Sequence, residues 1–132
     1  MYPIELKNVS FVYGAGEPYE IRALDNINLQ LGGSMMTGFM GHTGSGKSTL
    51  VQLLNGILKP TSGTLFVNGK DVQAEENIWK IRQEAGMVFQ NPDNQIIATV
   101  VEEDVGFGTE NLGVPTEEIW KRVEYALRAV EM

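Results

Sequence analysis

Residues 38–50, GFMGHTGSGKSTL, constrain the fold more than any other stretch of the chain. They place Gly41, Gly46, Lys47 and Ser48 in the spacing G-x-x-x-x-G-K-[ST], and the hydrophobic period changes across them. The run MMTGFM (35–40), which overlaps the start, is short, apolar and bounded by glycines, as a buried strand would be. Beyond Lys47, the residues Leu50, Leu53, Leu54, Ile57 and Leu58 recur at i, i+3, i+4, i+7 and i+8, one face of a helix that KPTSG (59–63) ends. A strand, a glycine-rich loop and a helix in that order predict an α/β fold.

The loop has a physical reading. Glycines let backbone amides approach an anion closely and point into one hollow, and a helix starting near Gly46 adds unpaired N–H groups and the positive end of its dipole. Lys47 then supplies a mobile point charge for β- and γ-phosphates, and Ser48 a hydroxyl for Mg²⁺. The alternative is a flexible connection with an incidental lysine, but a chance match in a chain of ordinary glycine content is of the order of one per cent. His42 sits at a variable position of the loop, with no proton-transfer role expected.

Charge agrees with a small anionic ligand. The chain of 132 residues carries net charge −7, yet no acid lies between Asp25 and Asp71, the window that holds Lys47, Lys59 and Lys70. Residues 1–70 are net +1 and residues 71–132 net −8. A sequence pI near 4.6 without a basic stripe argues against nucleic acid as a partner. The absence of cysteine excludes thiol catalysis and thiolate metal sites, and a single histidine makes a His-rich metal site or a Ser-His-Asp triad a poor fit. No apolar run is long enough to span a membrane and the first residues lack a signal-peptide pattern, which predicts a cytoplasmic protein.

Strands are further predicted at 4–13, 23–31, 64–69 (ending in an Asn-Gly turn) and 86–90, and helices at 76–85, from about 99, and from Thr116, the expected N-cap. The last helix has acids in its first turn and an apolar stripe at Ile119, Trp120, Val123, Ala126, Leu127 and Val130. Glu102, Glu103 and Asp104 form an acidic patch, read either as first-turn acids or as a docking surface.

GHTGSGKSTL, then LLNGILKPTSGTLFVNGKDV, then MVFQNPDNQ together resemble the ATP-binding subunits of ABC transporters over essentially the whole chain. They are most similar to energy-coupling factor (ECF) ATPases, which power uptake of vitamins and metal ions. GHTGSGKST with KPTSG resembles one of two sister subunits, and FQNPDNQ with VVEEDVGFG the other, so both remain open. The resemblance implies a P-loop NTPase core of the ABC type, with residues 1–90 as the first part of the nucleotide-binding core and 91–132 as the Q-loop and start of a helical subdomain. It implies ATP and Mg²⁺ held by Gly41, His42, Thr43, Gly44, Ser45, Gly46, Lys47, Ser48 and Thr49. Tyr13 would stack on adenine, and Gln90 would reach Mg²⁺ or the attacking water. Implied partners are a second ATPase subunit and a transmembrane coupling subunit, at the cytoplasmic face of the plasma membrane.

The family's signature, its apolar strand ending in Asp-Glu and its switch histidine have no counterpart in these residues. A truncated subunit is therefore expected, binding nucleotide without turnover by itself, with an unpaired apolar edge that promotes self-association. A GTPase is disfavoured because NGKD (68–71) has the letters of Asn-Lys-x-Asp in the wrong order, and P-loop kinases stay similarly remote.

Overall fold

A computed structural model describes all 132 residues, which form two compact units, Met1–Met87 and Val88–Met132. The first unit is built on one antiparallel sheet of order β2-β1-β3-β4, with β1 at Ile4–Tyr13, β2 at Ile21–Leu31, β3 at Ser62–Val67 and β4 at Lys70–Asp71. Strand β1 pairs with β2 and β3 on its two edges, Leu6 standing opposite Leu29 and Leu65. Its alternation is interrupted at Asn8 (φ +51°), where the register shifts. The Asn28 side chain accepts the Asn8 N–H at 2.9 Å, so the freed amide keeps a partner. Asn68 and Gly69 both adopt positive φ, the geometry that a two-residue hairpin between β3 and β4 requires.

Helix α1 (Lys47–Leu54) and helix α2 (Ile78–Glu84), preceded by a 3₁₀ turn at Glu75–Asn77, cover this sheet. Leu53 and Ile81, both fully buried, join Leu6, Val9, Leu65 and Val72 in one core. Burying side chains of this size stabilises by roughly 1.5–3 kcal/mol each relative to exposure. Helix α1 ends a turn earlier than the apolar spacing predicts. Gly56 turns left-handed (φ +74°), the N–H groups of Ile57 and Leu58 return to the Gln52 carbonyl (3.0 and 3.1 Å), and Ile57 is left exposed.

Two predicted strands are absent. Residues 35–40 and 86–90 form no ladder, either with each other or with the open edges of β2 and β4. Met36 and Met40 consequently stand almost fully exposed, at 100% and 98%.

The second unit contains a 3₁₀ turn at Pro92–Gln95, helix α3 (Val101–Asn111) and helix α4 (Thr116–Ala129). The two helices meet at Gly106, where an added Cβ would lie 3.3–3.4 Å from methyl groups of Ile119 and Val123. Of the predicted stripe only Val123 is fully buried; Trp120 and Val130 remain exposed. Helix α4 also starts one residue earlier than a Thr116 cap would have it. Pro115 occupies the cap position and Thr116 is already helical, since the Pro115 carbonyl accepts from Glu118 and Ile119 (2.9 and 3.0 Å) without a side-chain cap.

Candidate functional site

The first unit brings nine consecutive predicted residues, 41–49, onto the N-terminus of α1, with Tyr13 beside them. Gly46 is the hinge of this arrangement. It has φ +95°, and a Cβ there would come within 2.6 Å of the Ala23 carbonyl oxygen on β2 and 3.0 Å of Leu24. The loop can therefore turn into the helix only with glycine at this point, pressed against the sheet. Gly44, also left-handed at φ +83°, reverses the chain two residues earlier.

The first i→i−4 bond of α1 is donated by Leu50 to Gly46 (2.9 Å). The amides of Lys47, Ser48 and Thr49 precede it and have no acceptor inside the helix, which is the condition for receiving an anion. The Lys47 ammonium folds back over the loop and donates to the carbonyl oxygens of Gly41 (2.7 Å) and His42 (2.8 Å) and to the Ser45 hydroxyl (3.1 Å). His42 contributes its main chain to this contact, while its Nδ1 lies 2.9 Å from the Thr43 carbonyl oxygen. Thr43 and Ser48 are exposed, the latter with its hydroxyl at the helix start. Thr49, by contrast, is 6% exposed and its Oγ1 lies 2.9 Å from the Tyr13 hydroxyl.

Tyr13 ends β1, half-exposed, with its ring set edge-on against Phe11 at 4.8 Å between centroids. Gln90 belongs to the second unit, where it is exposed ahead of the Pro92–Gln95 turn. A donor set of this kind fits a polyphosphate: free amides, one ammonium and several hydroxyls, with no carboxylate among residues 26–70. Ser48 is the hydroxyl that would hold Mg²⁺ beside it.

Sequence reasoning missed two contacts. The Tyr13–Thr49 pair joins residues 36 positions apart, and nothing local announces it. The second concerns Asp104, whose Oδ1 accepts the N–H groups of Ile97 (2.7 Å) and Ala98 (3.1 Å). Those two backbone bonds hold its carboxyl below the usual range. Asp104 thus ties the preceding segment to α3, and only Glu102 and Glu103 of the acidic patch face solvent freely.

This fold and loop are those of an ATP-binding cassette: the family described as ABC transporter matches residues 24–132, and the chain belongs to it. Within the family its similarity is to energy-coupling factor transporters. It is 55% identical, over 98% of its length and 47% of the relative's, to the energy-coupling factor transporter ATP-binding protein EcfA1 of Caldanaerobacter subterraneus subsp. tengcongensis. The EcfA2 protein of the same organism is 44% identical over 97% of the chain and 45% of the relative. Among solved structures, cbiO1 from Clostridium perfringens, part of the ABC transporter complex cbiONQ, superposes with a TM-score of 0.81 at 39% identity, covering 96% of this chain and 49% of that one. A dimeric cassette, MJ0796, bound to ADP and Pi after hydrolysis, superposes with a TM-score of 0.81 at 31% identity over 98% of this chain and 57% of that one. The chain spans about half the length of the curated relatives it matches. No helix of the structure is long and apolar enough to cross a membrane.

Proposed function

We propose that residues 41–49 hold the polyphosphate of ATP with Mg²⁺, as part of an ECF-type importer ATPase that couples ATP binding and hydrolysis to uptake of vitamins or metal ions. The observation that carries this reading is the pairing of three unsatisfied amides at the start of α1 with the Lys47 ammonium over the same loop. Lys47 meets the terminal phosphates, Ser48 holds Mg²⁺, and Tyr13 offers its ring to adenine; stacking of that kind contributes about 1–3 kcal/mol. Gln90 takes the role that the family resemblance gives to the Q-loop glutamine.

Residues 1–90 then serve as the first part of the nucleotide-binding core and 91–132 as the start of the helical subdomain. The higher identity to EcfA1 than to EcfA2 of one organism favours the EcfA1 group. Working partners are a second ATPase subunit, equal or sister, and a transmembrane coupling subunit at the cytoplasmic face, toward which Glu102 and Glu103 present charge for a basic segment.

For these 132 residues by themselves, binding without turnover is favoured by one observation: no apolar run in residues 64–132 ends in Asp-Glu, the carboxylate pair that hydrolysis requires. Calorimetric ATP titration and phosphate release, measured on the chain and on Lys47→Ala, test both statements. Binding that needs Lys47 without phosphate release is expected. Binding indifferent to the substitution would overturn the site, and robust turnover would overturn its assignment of the chemistry.

A further inference from the structure

We propose that the Tyr13 hydroxyl is a positioning group for the phosphate loop, acting through Thr49, so that this tyrosine serves the polyphosphate end of the site independently of any base beside its ring. The inference rests on the reading of residues 41–49 as the phosphate loop and adds to it a role for an oxygen atom that stacking does not use.

Three features lead here. The phenol is rigidly mounted: Tyr13 pairs with Ile21 across the β1–β2 ladder, and its ring is fixed edge-on by Phe11. Its hydroxyl lies 2.9 Å from Thr49 Oγ1, at a residue only 6% exposed in the first turn of α1. A helical threonine divides between two χ1 rotamers because its hydroxyl can turn back to the helix carbonyls, and the phenol selects the rotamer facing the sheet. Fixing Thr49 fixes the turn whose amides, at Lys47, Ser48 and Thr49, have no intrahelical acceptor.

Either hydroxyl of the pair can donate, and one of the two directions suits an anion. When the Tyr13 O–H donates to Thr49 Oγ1, the Thr49 proton is released from that bond and can be offered onward to a phosphate oxygen. Donation into Oγ1 polarises the outgoing O–H, which strengthens what it offers. A phenylalanine at position 13 keeps the ring and deletes this relay.

Inorganic tripolyphosphate separates the hydroxyl from the ring, because it has no base to stack. Titrations of ATP and tripolyphosphate into the wild-type chain, Tyr13→Phe, Thr49→Val, Thr49→Ser and the Tyr13→Phe/Thr49→Val double variant constitute the test. Tyr13→Phe is expected to weaken both ligands by the same factor, about two- to tenfold, the range one net hydrogen bond supplies. Thr49→Ser, which keeps the hydroxyl, should bind both ligands more tightly than Thr49→Val, and Tyr13→Phe should cost nothing further in the Thr49→Val background. Unchanged tripolyphosphate affinity in Tyr13→Phe, or a full additional loss in the double variant, overturns the proposal and leaves the loop reading intact. Failure of the wild-type chain to bind either ligand removes the loop reading, and this inference with it.

Discussion

The Lys47 ammonium is held 2.7 Å from the carbonyl oxygen of Gly41, six residues back along its own loop. One side chain therefore closes the loop on itself, through three oxygen acceptors that suit the three donors of an ammonium. Arginine carries the same charge but distributes its donors in a planar fork, which does not fit three convergent oxygens around a point. Lys47→Arg is thus expected to lose ATP affinity by roughly ten- to a hundredfold, about 1.5–3 kcal/mol, because the fork neither closes the loop in this way nor meets the terminal phosphates as a point charge does. Retention of wild-type affinity in a calorimetric titration would show that charge alone is sufficient.

Gly46 makes a prediction about stability. At φ +95° an L-residue is strained by about 1–2 kcal/mol, and its Cβ would also meet the Ala23 carbonyl oxygen at 2.6 Å, a backbone atom that cannot swing aside. Gly46→Ala should lower the melting temperature by at least about 4–8 °C, on the scale appropriate to a domain of this size. Gly16, also at positive φ but with nothing within 4 Å, is the control: alanine there meets the backbone strain without the clash. Equal melting temperatures for the two variants would remove the close approach to β2 as a cause.

Acid should loosen the second unit at one identifiable point. The Asp104 carboxyl lies below its ordinary value because the Ile97 and Ala98 amides donate to its charged form. A carboxylate whose pKa is lower in the folded than in the unfolded chain adds stability above the unfolded value, and this is lost as pH falls through the folded one. The Ile97 and Ala98 amide proton shifts should accordingly titrate together at a midpoint below 3.8, the reference for aspartate, and Asp104→Ala should abolish that titration. A midpoint at or above the reference would mean that these bonds do not favour the charged carboxylate.

What could be read from the sequence, and what could not, divides by the range of the interaction. Strands β1 and β2, the Asn68-Gly69 turn and the strand-side helix after Lys47 are specified by neighbours in sequence: alternation, a turn dipeptide, a 3.6-residue period. The left-handed glycines at 44 and 46 belong to the same local class. MMTGFM satisfied the composition of a strand and failed for want of a partner, since pairing is decided elsewhere in the chain. Asp104 reads with Glu102 and Glu103 as a first-turn acid or part of a docking surface; it does lie in the first turn of α3, but its bonds run backward to Ile97 and Ala98, which the local pattern does not announce. Tyr13 and Thr49 each belong to the site that the sequence predicts, but their mutual contact depends on how β1 lies against α1.

The failed strand leaves a final expectation. Residues 35–40 carry three methionines and a phenylalanine without a ladder, with Met35 at 65%, Met36 at 100%, Phe39 at 38% and Met40 at 98% exposure. Exposed apolar residues in one run can be removed from water by a second copy, at about 25 cal/mol for each Å² covered. Thioether chains adapt readily to an imperfect counter-surface, which makes such contact less dependent on shape. The 132-residue chain should therefore associate as its concentration rises. In sedimentation velocity this would appear as a weight-average sedimentation coefficient that increases with loading. The double variant Met36→Ser/Met40→Ser, altering two residues that the fold leaves in solvent, should suppress that increase while leaving the melting temperature of a dilute sample unchanged. A wild-type chain that stays monomeric at every loading, with one sharp cooperative unfolding transition, would show that this run is harmless in solution.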